Sequence, residues 1–370
     1  MNYLFYLAHP AHFHLFKNTM RILKEHGHSV LVTSKTKDVL TKLLQESNIE
    51  FINIAEEERK DSRLGILTSF IKRTCAHWKI VRQFKPHLFI STSAEFAPFA
   101  KLMGVKSIGV FEDDLEIFPV YSKVFVPFLA HQLCPESCSA AQWNNHPKTI
   151  KYKGNHELAY LHPNYFTPNP EKVASVFDKN KLNFFLRFAK LTAWHDENKK
   201  GISDQLALSV IERLKPYGKI HISSERELSP ALEPYRVQVK ASDILDVLYY
   251  ADLYLGDSQT MTAEAAVLGT PSIRFNDFVG KLGYLEELES PYELTYGIST
   301  TQPEKLLQKI NEIVETPDLK SKWQKKRALL LKETIDPTKF FVWFFENYPS
   351  SAIELNKNPS FQERFKDNVS

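Results

Sequence analysis

Four stretches of this chain carry side chains whose types and spacing could do chemistry. The first is the trio His9, His12 and His14, which flanks a turn after the short apolar run 3–7. A neutral imidazole removes a proton from a hydroxyl near pH 7, so His12 and then His9 are candidates for a general base. An equal reading makes these rings caps or pins of the loop, with His14, already inside a helical pattern, structural. No Asp or Glu stands nearby and the spacing matches no standard zinc pattern, so no metal is assigned. The second stretch is FEDDLEIF from Phe111, which sets Glu112, Asp113, Asp114 and Glu116 directly after another apolar run. Crowded carboxylates raise the pKa of any that is partly buried, which suits acid or base work and nominates Glu112 and Asp113. The competing reading is acidic capping of the helix that follows.

The third stretch, GDSQTMTAEAAVLGTPSIRF from Gly256, reads as strand end, small-residue loop, helix and strand. Gly256 is expected to permit a tight turn after the strand, with Asp257 behind it. Amides around Gln259, Thr260 and Met261 then open a helix whose positive end suits a phosphate, and the Ser258 and Thr260 hydroxyls add donors. The plainer alternative makes Asp257 or Ser258 an ordinary N-cap and Glu264 a solvent-facing helical residue. The fourth stretch joins Arg187, at a strand edge, to His195 and Asp196 in the following loop. Arginine pairs bidentately with a phosphate or carboxylate, while a local salt bridge or an N-cap by Asp196 is the competing account.

Each of these positions follows a strand, and the elements around them alternate. In the first half, strands are expected over 3–7, 29–33, 51–54, 88–91 and 106–111, with helices over 14–27, 39–46, 64–84 and 96–103 between them. The proline-rich run LHPNYFTPNPEK interrupts the pattern, and strands over 183–188, 219–223, 253–256 and 271–274 resume it. Helices over 204–214, 243–251 and 260–268 separate them, and helices over 304–314 and 319–332 close the half. Short strands alternating with helices argue for parallel sheets covered on both faces, that is, an α/β protein of two doubly wound, Rossmann-like domains. The expected division is 1–160, a linker over 161–172, a second domain over 173–335, a terminal helix over 336–352 and a loosely ordered tail over 353–370. Two such domains facing a central cleft would set their binding loops opposite one another.

Composition narrows the function. A chain of 370 residues exceeds the size of one core, and its 43% hydrophobic and 25% charged content is that of a globular protein. A net charge of +3 from 47 basic and 44 acidic residues is too weak for wrapping nucleic acid. Three scattered cysteines, read as buried thiols, make no disulfide framework and point to a reducing, cytoplasmic setting. The N-terminus reads as a strand rather than a signal peptide, and no run approaches the roughly 18 apolar residues of a membrane span. The basic, aromatic segment 70–85 is a candidate for peripheral contact with a membrane; the competing account is an ordinary helix with Ile71, Trp78 and Val81 facing the core. No glycine-rich dinucleotide fingerprint follows the first strand, which disfavours a dehydrogenase.

The 256–278 stretch looks like the donor-site motif of GT-B-fold enzymes, among them nucleotide-sugar 2-epimerases and the transferase that completes lipid II. The whole chain to about residue 315 resembles domain-of-unknown-function family 354, predicted glycosyltransferases. The resemblance is carried by PAHFHLF at Pro10, KGNHELAYLHPNYFTP at Lys153, LRFAKLTAWHDENKKG at Leu186, ISSERELSP at Ile222 and GDSQTMTAEAAVLGTPSIRFNDF at Gly256. It implies the GT-B fold, diphosphate binding by Ser258, Gln259 and Thr260, and ribose recognition by Glu264. It also places Ser223, Ser224 and Glu225, beside His221 and Arg226, where that fold receives base and ribose. AWHDEN resembles the His-Arg-x-Glu-Asn segment of hydrolysing 2-epimerases but holds aspartate in place of arginine.

Three functions are thereby expected in order of preference. The first is transfer of a sugar from a nucleotide-diphosphate donor, with UDP the first choice of carrier, to a hydroxyl acceptor that is lipid-linked in one version. It needs no separate cofactor, serves cell-surface polysaccharide or glycolipid synthesis, and is expected to invert the anomeric centre. The second is 2-epimerisation or hydrolysis using Glu95, Glu112 and His195. The third is a non-catalytic nucleotide-sugar-binding protein.

Overall fold

A computed structural model describes residues 1–35, 38–55, 63–188 and 201–367, with side chains outside 38, 55 and 63–73. The chain forms two compact units, one of Met1–Tyr165 with Thr334–Asp367 and one of Phe166–Glu333.

The first unit runs β1 (Asn2–Leu7), α1 (Pro10–Glu25), β2 (Ser29–Lys35), α2 (Asp38–Glu46), β3 (Phe51–Ala55), α3 (Arg63–Phe84), β4 (Leu88–Ser91), α4 (Ala97–Leu102), β5 (Lys106–Val110), α5 (Pro119–Val124), β6 (His131–Pro135), β7 (Thr149–Tyr152) and α6 (Leu158–Leu161). All seven strands are parallel, in the order β3-β2-β1-β4-β5-β6-β7. The order reverses between β1 and β4, where open α/β sheets receive ligands. α1 starts four residues earlier than its apolar pattern suggests, because His9 caps it and Pro10, with φ already fixed, occupies the first turn.

The second unit runs β8 (Leu182–Phe188), α7 (Asp204–Leu214), β9 (Gly218–Ser224), α8 (Ile244–Tyr250), β10 (Leu253–Gly256), α9 (Gln259–Val267), β11 (Ser272–Phe275), α10 (Gly283–Glu289), β12 (Thr295–Ile298), α11 (Pro303–Val314) and α12 (Leu319–Glu333). Its five parallel strands lie in the order β12-β11-β10-β8-β9, so its own reversal falls between β8 and β10. Both units are thus Rossmann-like α/β domains.

The chain then returns to the first unit as α13 (Pro337–Glu346) and α14 (Ser350–Lys357). Phe340, Phe341, Phe344 and Phe345 are buried there, with Phe345 against Phe5, Phe341 against Phe16 and Phe340 against Tyr152. This corrects the loose tail expected after Ile353. α14 and a 3-10 turn over Pro359–Phe365 are ordered because Leu355 and Phe365 join that aromatic core and Trp343 packs on Phe361. The latch is completed by polar contacts: Asp336 caps α13 and accepts from Tyr165 at 2.8 Å, and the Lys339 ammonium reaches Asp367 at 2.5 Å.

Two further expectations are corrected on α3 and its neighbours. Val81 faces inward, but Trp78 lies on the outer face beside Phe99, because helical spacing turns His77, Ile80 and Val81 to the core instead. Cys75 shares that outer face and is exposed; Cys134 and Cys138 are buried, and burial raises the Cys134 thiol to about 12. No described helix is long and apolar enough to cross a membrane.

Candidate functional site

In the second unit, the loop after β10 lies at the switch point. Ser258 has extended backbone and is the N-cap of α9, its Oγ accepting the Met261 amide at 3.4 Å. The first-turn amides of Gln259 and Thr260 have no carbonyl within the helix to bond, so a positive end is presented at the carboxyl edge of the sheet. From Thr262 to Val267 the helix is buried all round, which fixes that end rigidly. Glu264 is therefore buried, which sets aside the alternative of a solvent-facing residue; the alanine-rich neighbours leave no polar face.

Gly256 makes no tight turn of the kind expected. Its φ is ordinary, and the glycine is required by space: a Cβ would stand 2.4 Å from the Tyr254 hydroxyl and 3.0 Å from the Arg187 carbonyl. Asp257 is buried with Gly201 against it, where a Cβ would meet Oδ2 at 2.5 Å. Asn276 donates to the Asp257 carbonyl at 3.0 Å, holding the loop from the end of β11.

Arg187 is paired in register with Gly256 on one side and Ser223 on the other. Its guanidinium donates to Ser223 Oγ at 2.6 Å and forms an ion pair with Glu225. Three nominated residues thus form one linked group next to the α9 end. Ser224 instead closes a local turn with Arg226, and Arg226 pairs with Asp204 at 2.7 Å. His221 is a core residue on Asn183, and burial lowers it to about 4. His195 and Asp196 lie outside the described residues.

In the first unit, the corresponding edge is built from imidazoles and carboxylates. His9 is exposed and its Nδ1 accepts the Ala11 amide at 3.2 Å. His12 Nδ1 accepts the Ala8 amide at 3.2 Å, and Nε2 meets Thr92 Oγ1 at 2.8 Å across the β1/β4 reversal. An Nδ1 that accepts leaves the proton of a neutral ring on Nε2, so His12 donates to Thr92. His14 is partly buried against Tyr160 and held at about 3 by burial, then by Lys17 and His9, and so is neutral.

The four acidic positions after β5 separate. Asp113 is exposed, while Asp114 accepts the Ser139 amide at 2.5 Å and Glu116 bonds the Ser139 hydroxyl. Their bonds run to the next loop, and Asp114 precedes a 3-10 turn without capping it through its side chain. Glu112 turns inward: Oε1 accepts the His156 amide at 2.6 Å, and Oε2 is 3.6 Å from His156 Nδ1. Burial and then the buried Glu157 carboxylate hold Glu112 well above the usual carboxylate range, with Asp113 adding to this and the His156 amide opposing it. Burial also pushes His156 down to about 3. His156 is thus neutral near pH 7, and Glu112 is biased toward its protonated form.

His156, Glu157 and Asn276 are additions that sequence reasoning missed as functional positions, although all three lie within the motifs quoted above. Thr92 carried no such signal. A cluster of His162, Asp336 and Asp367 has ligand atoms close enough for a cation, but Asn164, Tyr165 and Lys339 already bond its carboxylates as part of the C-terminal latch.

A family model described as protein of unknown function (DUF354) matches residues 4–284. No curated protein matches the chain. Among solved structures, a putative UDP-N-acetylglucosamine 2-epimerase from Listeria monocytogenes is similar at 13% identity, with 97% of each chain covered and a TM-score of 0.67. UDP-GlcNAc 2-epimerase from Neisseria meningitidis, bound to UDP-GlcNAc, is 13% identical over 90% of this chain and 100% of its own, with a TM-score of 0.60. The spinosyn rhamnosyltransferase SpnG, complexed with spinosyn aglycone, is 12% identical over 94% and 100%, with a TM-score of 0.61. The chain has the GT-B fold of these proteins.

Proposed function

We propose that this chain, which belongs to the DUF354 family, is a glycosyltransferase that moves a sugar from a nucleotide-diphosphate donor to a hydroxyl acceptor. The observation that carries this reading is the rigid, Ser258-capped amino end of α9 at the β8/β10 reversal, in a fold whose solved relatives include proteins bound to UDP-GlcNAc. Charge that develops on a leaving diphosphate would be met by the Gln259 and Thr260 amides, the Ser258 and Thr260 hydroxyls and the guanidinium of Arg187. Glu264 and Glu225 are the carboxylates that would recognise ribose, with Ser223 and Ser224 beside them. A uridine diphosphate sugar is the first donor to offer, and no resident cofactor is required.

The proton-handling roles are assigned to the first unit. For His12 to take the acceptor proton on Nε2, it must move its own proton to Nδ1 and release the Ala8 amide. His9, whose Nδ1 also accepts from the backbone, presents an Nε2–H donor suited to an oxygen of the substrate. Asp113, exposed after β5, is the remaining carboxylate base.

Glu112 favours a second reading. A carboxyl whose pKa is raised beside the buried Glu157 is suited to returning a proton to carbon or to a leaving oxygen, as 2-epimerisation or hydrolysis of a nucleotide sugar would need. Incubating the purified protein with UDP-, GDP- and dTDP-sugars, with and without hydroxyl acceptors, decides. Acceptor-dependent release of nucleoside diphosphate supports transfer. Donor-only appearance of the 2-epimer or free sugar sinks it, and tight binding without turnover leaves a sensor.

A further inference from the structure

Exposed apolar side chains gather on one face of the first unit. Leu102 at the end of α4 is 75% exposed, Val120 and Val124 on α5 are 73% and 48% exposed, and Phe128 just beyond is 40% exposed. Val120 and Val124 are one helical turn apart, and both α4 and α5 pack against the 3-10 turn Val126–Phe128. Trp78 extends the face from α3, its ring 5.8 Å from that of Phe99.

The charges around this face are mainly basic, with Glu116 exposed in the 3-10 turn Leu115–Ile117 that precedes α5. Residues 97–111 and 117–135 contain Lys101, Lys106 and Lys123 and no Asp or Glu. Lys101 lies over the Phe128 ring at 5.5 Å, and Lys148 donates to the Pro127 carbonyl at 2.8 Å. Lys79 and Arg82 stand on the same outer side of α3 as Trp78. None of these six cations forms an ion pair with a described residue.

We propose that this face, centred on Leu102, Val120, Val124 and Phe128, docks on an anionic lipid bilayer. Apolar side chains at the level of acyl chains, a tryptophan at the rim and lysines reaching headgroup phosphates are what such a surface selects. A protein partner fits less well, since lysine is depleted from protein–protein interfaces. The proposal stands apart from the nucleotide-sugar reading, because it needs no nucleotide.

Cosedimentation of the full chain with phosphatidylcholine vesicles, with and without phosphatidylglycerol, tests it without nucleotide. Binding is expected only with the anionic lipid, weakening at high salt. The Leu102→Asp/Val120→Asp and Lys101→Glu/Lys123→Glu pairs are each expected to lose roughly tenfold or more in affinity. Val120→Trp is expected to bind more tightly, an outcome that misfolding does not imitate when the circular dichroism is unchanged. Absence of lipid-dependent pelleting, or aspartate and glutamate pairs that bind like the parent, overturns the proposal. So does a dimer in light scattering that Leu102→Asp dissolves, since the face then belongs to a second copy.

Discussion

The two reversal points of this protein are chemically unlike although the sheets around them follow the same rule. In the second unit the edge presents fixed dipoles and a guanidinium: the α9 amides, Ser258, Thr260 and Arg187. In the first, groups that can exchange protons line the edge: His12 is tied to Ala8 and Thr92 at the β1/β4 reversal, and beyond it, after β5 and β7, Glu112 stands beside Glu157 and His156. Dipoles that cost no reorganisation hold charge; titratable groups in a dry environment move it. One fold used twice has thus been given two kinds of edge.

Acid should break the comparison most visibly. Burial depresses His14 and His156 to about 3 and His131 to about 4 in the first unit, and His221 to about 4 in the second. A depressed histidine is neutral when folded, so the unfolded chain binds more protons below about 6.5, and stability falls as pH drops from there toward the folded values. Each contributes at most about 1.4 kcal/mol per pH unit. Glu112 acts in the opposite sense: its raised pKa favours the folded state below the ordinary carboxyl range, and that advantage is lost as pH rises through the folded value. With three such histidines against one, hydrogen exchange at pH 7, 6 and 5 should show first-unit peptides opening earlier. Equal loss of protection in both units would contradict this.

Glu112→Gln sharpens the division of labour. Where Glu112 returns a proton, as the second reading has it, turnover is expected to fall by about 100-fold or more while nucleotide affinity, read by calorimetry, stays within about twofold. A parallel loss of affinity would mean that Glu112 holds the donor and not a proton.

Ser258→Ala should do the reverse. Removing the cap costs about 1 kcal/mol in stability, and donor affinity should drop several-fold with little change in turnover at saturation, whereas Ser258→Gly costs only a few tenths of a kcal/mol. Denaturant melts and titration with the nucleotide diphosphate separate the two effects.

The smallest effect is expected at Arg274, whose buried guanidinium meets Glu286 at 3.3 Å while Nε and Nη1 have no hydrogen-bond partner among the described residues. Its desolvation is poorly offset, so Arg274→Met is expected to leave stability within about 1 kcal/mol of the parent or above it. A loss of several kcal/mol in urea unfolding would show that the ion pair stabilises the unit after all.

The long strands and helices were legible because their apolar runs and 3.6-residue patterns are strong. β4, β10 and α7 fall at the expected residues. β6, β7 and β12 were not foreseen, since segments such as Thr149–Tyr152 are four residues long and half polar, too short for a period to declare itself. Within the site, Ser258 and the start of α9 were readable from local chemistry. Glu157 was not, because its importance comes from a neighbour 45 positions away in a carboxyl pair formed only by folding.

The sequence by itself determined the two α/β halves, the helix end after β10 and the clustering of imidazoles and carboxylates behind strands, since these depend on periodicity and on neighbours within a few residues. Only the tertiary structure decided that α13 and α14 complete the first unit, that Glu264 is buried, that Gly256 is needed for space, and which tautomer His12 adopts. Each of those depends on burial or on a partner distant in the chain, and both are created when the sheets close their cores.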